Sequence, residues 1–152
     1  MNAQIGCTPT IRLVMMLLVA SLLLLGARAH AQVQGLVLVV ANPGVAANDV
    51  SHDQLRDVFT GASSSIKGVA QVTPVLLREG PAHDEFLSTY IGKSDSAFRA
   101  GWRSLLFSGQ AVLPRTLNSD ADVVEYIAHT PGAIGYIART SPHPGVKVLA
   151  VR

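Results

Sequence analysis

Four short apolar, β-branched runs constrain this chain most, at residues 35–41, 72–77, 133–138 and 146–151. Each reads as a strand. The first, Gly-Leu-Val-Leu-Val-Val-Ala, shows no polar alternation, the pattern of a strand covered on both faces. Amphipathic segments with their own punctuation stand between the runs. Ser51 caps one helix, with Gln54 at the reciprocal capping-box position, Leu55, Val58 and Phe59 on its apolar face and Gly61 at its end. Gly80 and Pro81 open a second, since proline at the first helical position gives up an N–H that would be unpaired anyway. Its buried face is Phe86, Leu87, Tyr90 and Ile91, and Gly92 stops it. Ser94 caps a third, in which Phe98, Trp102, Leu105 and Leu106 recur at helical spacing. Ser119 caps a fourth, with Asp120 and Asp122 complementing the dipole of its first turn and Val123, Val124, Ile127 and Ala128 facing inward.

The connections read as turns and loops. Asn42-Pro43-Gly44 ends the first strand, residues 62–68 are small and polar, and 113–115 carry the chain across the surface. Thr130-Pro131-Gly132 has the residue order of a type II turn. Strands separated by helices predict an α/β fold, with a mostly parallel or mixed sheet and helices on both faces.

The first 31 residues are expected to lie outside that fold. Arg12 precedes the apolar run of residues 13–25, in which Ser21 is the one polar residue, and Ala29-His30-Ala31 supplies small residues for cleavage. This is the layout of a secretory signal peptide, so residues 1–31 are expected to be removed and 32–152 to form a single periplasmic domain. Arg12 and Arg28 leave with the signal, so ten of the twelve Lys/Arg and all ten Asp/Glu remain, a formal charge of zero. No clustered basic stripe is left to suggest a nucleic-acid surface. Cys7 lies before the apolar run, which does not suit a lipoprotein site, and the mature chain would have no cysteine and hence no disulfide.

The sharpest chemistry lies at Leu76-Leu77-Arg78-Glu79-Gly80-Pro81-Ala82-His83. A strand ends in an arginine and a helix begins two residues later. A guanidinium beside unpaired helix N–H groups suits a phosphate, a sulfate or a carboxylate. The ligand-binding candidates are therefore Arg78, Glu79, Gly80, Ala82 and His83. Against this stands a plain surface role, with Arg78 paired to Glu79 or Asp84 and His83 solvated. His52, His129 and His143 have no metal-ligand spacing, so no metal is expected. There is no Gly-x-Ser-x-Gly elbow, and Ser51, Ser94 and Ser119 are better explained as caps than as nucleophiles, so neither an enzyme nor a cofactor is expected. Trp102, Phe98 and Phe107 sit at helical spacing and read as core.

Asp53-Gln54-Leu55-Arg56-Asp57-Val58-Phe59-Thr60-Gly61 resembles the "helix then Ile/Val-Phe-x-Gly" segment of the phosphate ABC transporter periplasmic substrate-binding proteins. Pro131-Gly132-Ala133-Ile134-Gly135-Tyr136-Ile137 resembles their "Pro-Gly-Ala-Ile-Gly-Tyr" signature, and residues 102–109 their tryptophan-containing helix and "Phe-x-Gly" exit. The resemblance covers nearly all of residues 32–152. It implies a single-lobe, type II periplasmic-binding-protein-like domain with a mixed sheet flanked by helices. Full-length members have an earlier lobe with its own ligand-binding segment. They follow their arginine with an acidic residue, Gly and Ser-Gly-Thr. Here those positions read Glu79, Gly80, Pro81, Ala82 and His83, so the first two carry over and the hydroxyls do not.

Two functions are therefore expected. One is a periplasmic solute-binding-type protein for phosphate or another small anion, working with a membrane transporter. The other is a non-enzymatic accessory or sensor domain that binds a protein partner and has lost its ligand. The sequence leaves the oligomeric state open.

Overall fold

The computed structural model describes residues 35–67 and 71–152; the proposed signal peptide falls outside them. One mixed sheet of six strands forms the frame, in the order β2-β6-β1-β5-β3-β4. Strand β1 (Val37–Ala41) is antiparallel to both of its neighbours, β5 (Ala133–Ala138) and β6 (Lys147–Val151). The pairs of β3 (Thr73–Leu77) with β5 and with β4 (Arg115–Leu117), and of β2 (Asp49–Val50) with β6, are parallel. β1 therefore runs against all the rest. Strands β1 and β5 lie mid-sheet and are almost wholly buried, which is why they are unbroken apolar runs. Strand β6 buries Leu149 between the exposed Val148 and Ala150, as befits a strand nearer the edge.

Helices cover both faces, as the order of elements implied. On one face Tyr136 of β5 stacks on Phe86, with centroids 3.8 Å apart and planes 5° from parallel, and Phe59 meets both rings. Phe59 comes from α1 (His52–Thr60) and Phe86 from α2 (Pro81–Phe86). Helix α3 (Asp95–Phe107) joins this layer through Phe98 and Trp102, and the Trp102 indole N–H donates to the Phe59 carbonyl at 3.0 Å. That bond satisfies a buried donor and ties α3 to the end of α1. On the other face α4 (Asp120–His129) lies close to β5 because residue 135 is glycine. A Cβ there would meet Ile127 Cδ1 at 2.8 Å and the Val75 carbonyl at 3.2 Å.

Local punctuation behaves as read. Ser51 and Gln54 form the reciprocal capping box, Gly61 and Gly92 end their segments in the left-handed region, and Ser94 and Ser119 accept from the third residues of their helices. The Thr130 carbonyl accepts from Ala133 N–H at 3.1 Å across Pro131-Gly132, with Gly132 at φ 76°. Asn42 does more than end β1. Its side-chain amide donates to the carbonyls of Ile127 and Ala128 at 2.8 and 3.1 Å, capping the C-terminal turn of α4 from across the core.

Other features depart from expectation. Strands β2 and β4 have only two and three residues and carry no apolar run; parallel pairing with β6 and β3 creates them. The polar loop after α1 hides Ile66, which is fully buried. The helix begun at Pro81 widens into a π-helical turn over Leu87–Ile91. Phe107 is 86% exposed and Leu106 is also exposed, because the apolar face of α3 leaves the sheet after Trp102. Phe107 is therefore not core.

Candidate functional site

The stretch singled out in the sequence lies at the carboxyl end of β3, beside that of β4. Arg78 N–H donates to the Leu117 carbonyl at 2.8 Å, one step beyond the ladder, and Arg78 Nε donates to Asn118 Oδ1 at 2.8 Å. Among the described residues the Arg78 side chain has no acidic partner, so the pairing with Glu79 or Asp84 does not occur. Its carbonyl accepts from Arg99 Nη2. Glu79 is exposed, and Gly80 follows at φ 113°, ψ 171°, a conformation that side chains with a Cβ avoid. A Cβ on Gly80 would meet no atom within 4 Å, so the corner opens to solvent. Pro81 takes the first helical position and half-buried Ala82 the second.

His83 points the other way. It is 2% exposed, not solvated, with its ring edge-on to Phe98 and stacked beside Tyr136. Its Nδ1 lies 2.6 Å from the Tyr136 hydroxyl and its Nε2 2.9 Å from Asp95 Oδ1. Arg99 Nε donates to both Asp95 oxygens at 2.8 Å. The Arg99 guanidinium, seconded by His83, holds the Asp95 carboxyl below the ordinary range although partial burial opposes it. An ionised carboxylate only accepts, so Nε2 carries the proton that reaches it. Burial pushes the Tyr136 hydroxyl far above its ordinary value, so it keeps its proton. Tyr136 accepts from Leu77 N–H at 3.2 Å and donates to His83 Nδ1, and among the described residues no buried side-chain polar atom is left without a partner.

The result is a relay from the end of β3, through Tyr136, His83, Asp95 and Arg99, back to the Arg78 carbonyl. It fixes the backbone that presents Arg78 and Gly80. Of the five sequence candidates, Arg78, Glu79 and Gly80 form the open corner, Ala82 packs beneath it and His83 is its buried support. Sequence reasoning missed Tyr136, Asp95 and Arg99 as parts of this assembly. The only local signal was the i, i+4 spacing of Asp95 and Arg99, which marks a helical ion pair but not its histidine.

This chain shares the fold of phosphate ABC transporter substrate-binding proteins. A Clostridium perfringens protein assigned to that class and solved with bound phosphate superposes with a TM-score of 0.59 at 15% identity, over 77% of this chain and 45% of the other. PstS from Borrelia burgdorferi gives 0.57 at 18% identity, over 78% and 47%. An ABC-type phosphate transport receptor from Vibrio cholerae gives 0.51 at 16% identity, over 77% and 46%. The chain thus spans less than half the length of these substrate-binding proteins. No protein-family model matches the sequence, and no curated protein matches it. No helix among the described residues is long and apolar enough to cross a membrane.

Proposed function

We propose that this protein is a periplasmic solute-binding-type domain, exported by the signal peptide at residues 1–31, with residues 32–152 holding phosphate or another small anion at the Arg78 corner. The observation that carries the reading is Arg78 itself. It stands at a strand end in a phosphate-receptor fold, with Asn118 as its side chain's one partner among the described residues. Its terminal nitrogens are left to fork onto an oxyanion. Gly80 lets a ligand approach the backbone closely, and Ala82 and His83 supply the nearest amides after Pro81. Glu79 accepts a hydrogen bond only from a protonated anion, which favours hydrogen phosphate over sulfate. On this reading the protein acts as a binder and not as an enzyme, with a membrane transporter as its partner.

A second reading has its own support. Pro81, Ala82 and His83 offer no hydroxyl, and the His83 ring is committed to the buried relay. On this reading the fold serves as a scaffold that docks on a protein partner without ligand. Calorimetric titration of the full chain with phosphate, sulfate and acetate, beside Arg78→Ala, separates the two. The anion reading expects saturable heat with phosphate and at least a tenfold loss of affinity in the variant. No heat with any anion, or equal heat from Arg78→Ala, overturns it and leaves the scaffold.

A further inference from the structure

A cavity of about 310 Å³ lies on the inner side of α3, between that helix and strands β3 and β4. Arg78, Glu79, Gly80 and Ala82 do not line it, and His83, whose ring is held in the buried relay, is the one residue it shares with the anion corner. Its walls are apolar, formed chiefly by Leu76, Phe98, Trp102 and Leu113. One charged row runs along it. Asp95, Arg99 and Arg103 are spaced i, i+4, i+8 on α3 and all three face the cavity. Asp95 takes the Arg99 guanidinium with both oxygens, and the Arg99 Nη2 is spent on the Arg78 carbonyl. Arg103 has no acid or hydrogen-bond acceptor among the described residues. The row therefore ends in one uncompensated positive charge beside an apolar hollow.

From this we infer that the cavity is a second ligand site, for a small amphipathic monocarboxylate with an aromatic or branched apolar body. The carboxylate meets the Arg103 fork at the mouth, and the body lies against Phe98, Trp102 and Leu76. The volume is at the lower end of small-molecule sites, about 300–1,000 Å³. That admits a single ring and excludes larger cofactors. An apolar wall with one convergent cation is what distinguishes such a molecule from inorganic phosphate, which gains nothing from the wall, and from a neutral ring, which gains nothing from the guanidinium. Leu113 is half exposed at the rim and Val112 beside it is 87% exposed, so the hollow communicates with solvent along an apolar lip.

Trp102 is the chain's single tryptophan and lines the cavity, so its fluorescence reports occupancy directly. The full chain is titrated with phenylacetate, with phenylacetamide and with inorganic phosphate. Saturable change is expected with phenylacetate, at least tenfold weaker binding with the amide, and none from phosphate. Arg103 is exposed, so Arg103→Ala leaves the fold intact and lowers phenylacetate affinity about tenfold. Thr116→Phe fills the cavity from β4 and abolishes the response, with circular dichroism to verify folding. Arg78→Ala leaves the phenylacetate response unchanged, which keeps this site distinguishable from the anion corner. A folded protein that gives no saturable change with phenylacetate, or that binds the amide or the Arg103→Ala variant equally well, overturns the proposal.

Discussion

Replacing Tyr136 with Phe removes one oxygen and leaves the ring stacked on Phe86. The hydroxyl serves two buried groups at once, as acceptor for Leu77 N–H at 3.2 Å and donor to His83 Nδ1 at 2.6 Å. Both residues are nearly inaccessible, so water does not replace the lost partner. An orphaned buried polar group costs about 1–3 kcal/mol, and some of this is returned because the hydroxyl no longer needs desolvating. The net loss expected is about 2–4 kcal/mol, a large share of the ~5–15 kcal/mol that holds a typical domain. Urea unfolding followed by Trp102 fluorescence measures it, with an unchanged m-value showing that stability and not compactness has moved. His83→Phe, and the double variant with Tyr136→Phe, complete a cycle. Because the Tyr136–His83 bond is lost only once, the double variant should fall short of the sum by about 1 kcal/mol or more. A loss below about 0.5 kcal/mol for Tyr136→Phe, or strict additivity in the cycle, refutes the relay as a stabilising unit.

Four further outcomes follow from the same geometry. Asp95 has a folded-state pKa below its unfolded value, so its contribution is fully present above the ordinary carboxylate pKa of about 3.9 and is lost as pH falls below it. In Asp95→Asn, chemical unfolding between pH 6 and 2.5 should show a shallower acid decline than the parent; an identical decline contradicts the assignment. Gly135→Val should cost about 1–3 kcal/mol in thermal or urea unfolding, because even a Cβ there already meets Ile127 at 2.8 Å and Val123 at 3.3 Å. Ser51→Ala removes one half of the capping box and should cost about 1 kcal/mol, whereas Phe107→Ser, at an 86% exposed position, should stay within about 0.5 kcal/mol of the parent.

How much of this was legible divides by distance along the chain. Ser51 with Gln54, Gly80 with Pro81, and Pro131 with Gly132 act within three or four residues, so their roles are written in adjacent letters. The apolar runs of β1 and β5 announce burial on both faces for the same local reason. Helical spacing misled at Phe107, since periodicity states which side of a helix is apolar but not where the helix runs off its support.

Asn118 lies 40 residues from the Arg78 it holds, and Tyr136 lies 53 from the His83 it pairs with. No pattern in a single sequence relates such positions. The order of the four longer strands and the four helices, the helix caps, the turns and the Arg78-Glu79-Gly80 corner were determined by the sequence alone, because propensity, capping and dihedral preference are short-range forces. The pairing of β2 and β4, the inward turn of His83 and the cavity beside α3 were decided by the tertiary structure. They exist only because a folded sheet brings distant residues within hydrogen-bond and van der Waals range and shuts water out between them.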